Sequence, residues 1–449
     1  MSSSTLGLLT YHFGRRRIPG QVVIQYTDRC NARCPQCGMR ATEAFPRSTL
    51  SPGTGRRILN AAARNRVGAI SFTGGEPMLC LDEIAPLMTY AGRVGIPYIR
   101  TGTNGFFFRN PERKDFQSKV TRVAETLAAT PIRNLWISID SAIPAVHETM
   151  RGFPGVIEGI RKALPIFHAH GIYPSANLGI NRNIDGAATN RLYPKDFSHD
   201  GDYLKTFYHA YRSAFKKFYR LVADLGFTMV NTCYPMSIGE DELGDGLNAV
   251  YAASAVSDVV RFSRAEKVRL FRALRHTIPE YRARLRIFSP LVSLYSLEQQ
   301  YGDQGDRPYG CHGGIDFFFI DSRDGNTFPC GYRGDENLGK YWELTPHRRP
   351  RHTGCIRCDW ECFRDPSELF GPILQALADP AGTLRRFLDD PLYFRIWCED
   401  LRYYKACQMF DGRRPLHRQR LRRFQRPVSR QSDDPDNFPC KVPSEPLRA

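Results

Sequence analysis

The stretch "VVIQYTDRCNARCPQC", Val22 to Cys37, runs from an apolar segment straight into three cysteines. Val22–Thr27 is rich in β-branched and aromatic residues and reads as a buried strand. The loop after it sets Cys30, Cys34 and Cys37 at CxxxCxxC spacing. A disulfide framework uses cysteines in pairs, and a tetrahedral zinc site uses four ligands. Three thiolates on one loop suit three irons of a [4Fe–4S] cube, leaving the fourth iron open to a small molecule. Taken alone, the motif also admits a zinc ion completed by a distant His or Cys.

From that strand outward, short apolar runs alternate with helical patterns. "SPGTGRRILNAAARNRV" (51–67) begins with a Ser cap and continues as an amphipathic helix. "GAISFTGGEP", "PYIRTGTNG", "NLWISIDS", "IYPSANLGI" and "FTMVNTC" each read as a strand, several closing on a turn. Helical patterns separate them, ending with the long "YLKTFYHAYRSAFKKFYRLVADLG". Strand and helix alternate six times, which predicts a parallel sheet curled into a partial (βα)6 TIM-type barrel. In such barrels chemistry sits at the C-terminal strand ends. The cysteine loop, "TGGEP", "TNG" and "SIDS" all fall there.

The cysteine spacing, its place after the first strand and the GGE of "TGGEP" (Thr73–Pro77) after the second closely resemble the radical S-adenosylmethionine (SAM) superfamily. The resemblance covers about residues 20–235. It implies that Cys30, Cys34 and Cys37 ligate a [4Fe–4S] cluster whose open iron binds SAM. It implies that Gly74, Gly75 and Glu76 flank the methionine part of SAM, with Glu76 near its ammonium. Asn104, Ser138 and Asp140 are then expected near the ribose or the methionine carboxylate. One electron would cleave SAM to a 5′-deoxyadenosyl radical, which takes hydrogen from a substrate. One departure stands out: the residue before the third cysteine, commonly aromatic in this superfamily, is Gln36.

A second cysteine group follows. Cys311 and Cys330 bracket a hairpin pattern, "IDFFFI" and "NTFPC" around the turn "DSRDG". "CIRCDWEC" then adds Cys355, Cys358 and Cys362. Five cysteines in this arrangement point to a metal, zinc or iron–sulfur. The group resembles the SPASM and twitch auxiliary domains of radical SAM enzymes, which implies a small cysteine-rich α+β domain with one further [4Fe–4S] cluster. Cys311, Cys330, Cys355 and Cys358 are its expected ligands, and Cys362 an alternative ligand or a bystander. Cys233 ends the sixth strand, where a thiol could give a hydrogen atom to a substrate radical. Cys80, Cys398 and Cys407 read as core, and Cys440 as incidental.

The chain has 449 residues, 13 cysteines and a formal net charge of +17. Basic residues number 63 against 46 acidic, and 11 of the 63 are Lys. Arg-rich composition with a basic tail accounts for this, and an anionic partner would also suit it. No aromatic RNA-binding signature accompanies the charge, so nucleic acid is not an expected partner. No apolar run of membrane-spanning length and no signal peptide are visible, so a cytoplasmic location is expected. The expected organisation is an N-terminal extension (1–20), the partial barrel (21–236), a helical connector (237–305), an auxiliary-cluster domain with C-terminal helices (306–410) and a disordered basic tail (411–449). The expected activity is radical modification of a peptide or protein, by oxidation or cross-linking. Modification of a small metabolite, sugar, nucleotide or lipid precursor is the alternative, and a non-enzymatic iron–sulfur scaffold or redox sensor the remote one. A flavodoxin or ferredoxin would supply electrons, and the substrate would be a peptide or an anionic small molecule.

Overall fold

The computed structural model describes residues 3–37, 47–235, 238, 246–250, 257–302, 309–344 and 354–425. Six parallel strands follow one another in chain order: β1 (Gln21–Thr27), β2 (Ala69–Gly74), β3 (Tyr98–Thr103), β4 (Asn134–Ser138), β5 (Ser175–Gly179) and β6 (Met229–Cys233). Each pairs with the next, as right-handed strand–helix–strand units require. The helices between them form where the sequence places caps. Ser51 accepts a hydrogen bond from Thr54 N at 3.1 Å and opens α1 (Pro52–Arg64). The longest helix, α2 (Asp200–Leu225), stops at Gly226, whose φ of +105° favours glycine. Its buried face is aromatic, with Tyr203, Phe207, Tyr211, Phe215 and Phe218 all inside. Burial of each such side chain stabilises the fold by about 1.5–3 kcal/mol.

The sheet is wider than six strands. On one side β7 (Arg286–Ile287) pairs with β6. It lies in the stretch expected to be a purely helical connector, between α3 (Arg264–Tyr281) and α4 (Leu291–Tyr301). On the other side β8 (Phe317–Ile320) pairs in parallel with β1, from Gln21↔Phe317 to Ile24↔Ile320. The short β9 (Thr327–Phe328) then closes the sheet antiparallel to β8. The hairpin read from "IDFFFI" and "NTFPC" therefore extends the barrel sheet. The physical reason is the free edge of β1, whose unpaired backbone groups β8 satisfies.

The chain from Asp411 differs from expectation. Residues 411–413 bond to the barrel and Phe424 packs on Tyr403, and the remainder of the expected tail after 425, with Cys440, lies outside the described residues. Gly412 N donates to Arg133 O at 2.6 Å, and Tyr173 N donates to Gly412 O at 2.7 Å. Arg286 Nη1 reaches Asp411 O at 2.9 Å, and Tyr98 OH reaches Phe410 O at 2.9 Å. These partners stand at or just before the N-terminal ends of β3, β4, β5 and β7. The segment is a strap across the bottom of the barrel, opposite the cysteine loop. Cys80 and Cys407 are buried, whereas Cys398 is half-exposed on the outer side of its helix.

Three C-terminal helices, α5 (Glu361–Ala378), α6 (Pro380–Asp389) and α7 (Pro391–Ala406), brace the structure. One buried ion pair locks them to the connector. Arg282, just past α3, and Asp400 on α7 are both fully buried and bonded to each other. The second Asp400 oxygen accepts from Val292 N at 2.8 Å on α4. Replacing one partner strands the other charge in a dry interior. Asp400→Ala, which leaves Arg282 with the looser Glu399 at 3.6 Å and the face of Tyr403, is expected to destabilise the fold by about 3–5 kcal/mol in denaturant unfolding.

Candidate active site

Alternate residues of a strand face opposite sides of a sheet. Inside this barrel the inward set is polar or small where a packed barrel would carry branched apolar residues. Arg100, Trp136, Asn177 and Asn231 line the interior. Asn104, Asp140 and Cys233 line it at or near the C-terminal strand ends. Gly102 makes room for this floor, because a Cβ there would lie 1.9 Å from the Trp136 indole. The result is one cavity running from the cysteine loop into the barrel.

The loop after β1 folds tightly, with Cys37 N bonded to Cys34 O at 3.1 Å. Cys30 and Cys37 are half-exposed, Cys34 is buried, and all three line the cavity. The turn after β2 holds the loop in place. Gly75 N donates to Thr27 O at 2.7 Å and Glu76 N to Arg29 O at 2.8 Å. Glu76 is fully buried. Its Oε1 accepts from Met78 N at 3.0 Å and its Oε2 from Asn104 N at 2.6 Å. Burial pushes its carboxyl up to about 7, against the pull of those backbone donors. Asn104 in turn donates to Asn31 Oδ1 at 2.9 Å and lies 3.7 Å from Cys30 Sγ. Ser138 and Asp140 line the cavity at the end of β4.

Asp140 is occupied by a residue that the sequence pattern did not single out. Arg151, eleven residues further on a separate helix, grips it with two bonds, Nε–Oδ2 at 2.5 Å and Nη2–Oδ1 at 2.8 Å. Burial alone would raise the Asp140 carboxyl, but Arg151 outweighs it and holds the group well below the usual carboxylate range. Arg151 also lines the cavity and favours the charged form of the Cys34 thiol. Burial nonetheless pushes that thiol up to about 12. The one available signal for Arg151 was Asp140 itself, since a buried carboxylate calls for a cation.

The second cysteine group separates into four and one. Cys311 N donates to Cys355 O at 2.8 Å, which joins the two cysteine segments. Burial raises Cys311 to about 11 and Cys330 to about 12. Cys358 is raised well above its usual value by burial and then by Cys330, Cys311 and Cys355. Cys362 stands apart from these four. Its thiol lies 3.5 Å from Glu361 Oε1 and lines the barrel cavity, as does Cys233, which bonds Asn177 Oδ1 at 3.4 Å. Trp360, which also lines that cavity, packs against Tyr332 and Phe363 on the side of the second group.

The chemistry of the donors decides what they can hold. Soft thiolates select iron–sulfur clusters, zinc or Cu(I). Among the described residues no three His, Cys, Asp or Glu side chains converge on a single-ion site. The loop donors fit an iron–sulfur cluster. They are three cysteines on a tethered loop beside Gln36, whose buried side-chain amide has no partner among the described residues. No helix among the described residues is long and apolar enough to cross a membrane.

Residues 24–181 match the radical SAM superfamily. The AdoMet-dependent heme synthase of Methanosarcina barkeri is 22% identical over 317 residues, covering 70% of this chain and 77% of that protein. Molybdenum cofactor biosynthesis protein 1 of Mus musculus is 30% identical over 165 residues, 35% of this chain and 23% of its own length. Among solved structures, Streptococcus suis SuiB bound to S-adenosylmethionine aligns with a TM-score of 0.43 at 15% identity, over 70% of this chain and 60% of that one.

The tether between β1 and β2 leaves no room for a side chain at position 75. A Cβ on Gly75 would lie 2.4 Å from Arg29 O and 2.9 Å from Asp28 O, both backbone atoms of the cysteine loop. Gly75→Ala is expected to cost about 1–3 kcal/mol and to reduce the iron bound on reconstitution. Gly53→Ala, whose nearest atom would be Ser51 Oγ at 3.7 Å, is the control expected to change neither.

Proposed function

We propose that this chain, a member of the radical SAM superfamily and an enzyme that uses a [4Fe–4S] cluster and SAM, holds that cluster on Cys30, Cys34 and Cys37. The observation that carries the reading is the convergence of three cysteine side chains, the Gly74–Glu76 turn and the Asp140–Arg151 pair on one polar cavity. Bound together, the cluster and SAM supply a carbon radical that takes hydrogen from a substrate. The residues of the chain do the rest. Arg151, fixed by Asp140, offsets the negative charge of the thiolates and offers its remaining donors to the SAM carboxylate. Glu76 and Asn104 keep the cysteine loop at one height above the barrel. The barrel wall excludes water from the reacting carbon. In a redox-neutral reaction, the alternative to the oxidation below, Cys233 at the end of β6 would give its thiol hydrogen to the substrate radical, and an electron from the flavodoxin or ferredoxin with a proton from solvent would restore the thiol.

Cys311, Cys330, Cys355 and Cys358 are proposed to hold an auxiliary [4Fe–4S] cluster. The hydrogen bond between the Cys311 and Cys355 backbones, the burial of Cys311, Cys330 and Cys358 in one cluster and the place of Cys362 on the barrel cavity support this. A centre beyond Trp360 could take the second electron of a net oxidation, and a flavodoxin or ferredoxin would supply the first to the SAM-side cluster. The proposed substrate is a peptide or protein. A relative that covers 37% of this chain, PqqA peptide cyclase of Xanthomonas campestris, is named for such a substrate. A small metabolite is the second reading, favoured by the far longer match to heme synthase.

Iron analysis of anaerobically reconstituted protein tests both centres. Wild type is expected to hold about eight irons and the Cys30/Cys34/Cys37→Ala triple variant about four, two cubes falling to one. The triple variant is also expected to make no 5′-deoxyadenosine from SAM and reductant. About four irons falling to none would remove the auxiliary cluster from the proposal.

A further inference from the structure

One cavity group remains unused by this mechanism. Glu361 opens α5, directly after Trp360, and is 5% exposed. Its Oε1 faces the Cys362 thiol at 3.5 Å, and the Cys233 thiol, which bonds Asn177 Oδ1, lines the same cavity. Its Oε2 is buried and has no hydrogen-bond partner among the described residues. Thiols are weak donors, so the carboxylate is poorly satisfied even on its bonded side. Nearby amides do not help, because Asn231 Nδ2 is committed to Asn177 Oδ1 at 2.7 Å. Arg100 faces the same space, but its guanidinium lies over the Trp136 ring at 4.9 Å and its Nε is also unpartnered. A fold gains nothing from a buried acceptor left open. Such a group is retained where something else completes it.

We propose that Glu361 anchors the reacting end of the substrate by accepting a hydrogen bond from a substrate amine or hydroxyl. This rests on the reading of the cavity as the radical site. Oε2 is the acceptor, and the two thiols mark its position: Cys233 at the end of β6, Cys362 one residue along α5. A substrate group held there stands beside Cys233, on the same cavity wall. The inference narrows the substrate to one whose modified carbon lies close to an N–H or O–H, whether on a peptide side chain or a metabolite.

The test uses the full chain, reconstituted anaerobically with SAM bound. Alkylation of Cys233 and Cys362 by iodoacetamide is followed by peptide mass spectrometry, with n-butylamine, 1-butanol or butyrate as the probe. The amine or the alcohol is expected to slow alkylation of both thiols where butyrate does not, and the stronger of the two identifies the donor. In Glu361→Gln the concentration of that probe needed for protection is expected to rise about tenfold, the loss of a charge-assisted bond. Equal protection by butyrate, or an unchanged requirement in Glu361→Gln, overturns the proposal. Melting of the Glu361→Leu holoenzyme separates function from structure. An unchanged or higher melting temperature is expected, and a fall of several degrees would make Glu361 a structural residue. Wild type that binds no SAM would defeat the underlying reading, whereas wild type that binds SAM without preferring a donor defeats this inference alone.

Discussion

Everything at the open end of this barrel hangs on how the first three strand ends are tied together. The backbone N–H of Gly75 bonds the end of β1 and that of Glu76 the cysteine loop, and the Glu76 carboxylate accepts from Asn104 N. Asn104 closes the circuit by bonding Asn31, next to Cys30. Residues 28–37, which contain no helix or strand, are thereby held by hydrogen bonds to the turns after β2 and β3. Glu76 serves this purpose as a buried acid, which explains why a residue expected to face SAM has both oxygens engaged by the protein. Each carboxylate oxygen has a second lone pair, so the tether and a ligand contact are compatible.

The second constraint is charge. In the cavity, burial disfavours the charged form of the Cys30 and Cys34 thiols, a cost that a cationic metal centre would offset. Arg151 is the positive counterpart already in place, and Asp140 is what keeps it aimed. Further down, the barrel replaces the usual apolar layers with Arg100, Trp136 and the two asparagines. Such a floor cannot contribute much hydrophobic stabilisation. The fold recovers it in the helical shell, where α2 buries an aromatic face and α3, α4 and α7 meet around Arg282 and Asp400.

Much of this was legible in the sequence. Buried parallel strands give short apolar runs, and caps such as Ser51 and stops such as Gly226 mark the helices between them. The strand-end motifs then gave the site its position. What escaped was non-local or rested on backbone alone. Arg151 belongs to the site through an ion pair made by an unremarkable helix. Glu361 sat inside "CDWEC", where the cysteines drew the reading towards metal. β7 is two residues long, too short for a periodic signal. The strap at Asp411 and Gly412 bonds largely through backbone groups, which leave no trace in hydropathy, so a basic and weakly apolar stretch read as tail.

The pairing of β8 with β1 carries a consequence for how the protein matures. β1 delivers the first three cysteines, and β8 lies between Cys311 and Cys330. The two thiol groups thus share a pair of adjacent strands and do not sit on modules joined by a flexible linker. Order gained at one group fixes backbone that the other also uses, which is the condition for positive coupling without any contact between the bound species. Under the proposed reading, filling either centre prepares the other. Metal loading would then be cooperative, and half-loaded molecules would be the scarce form of this protein.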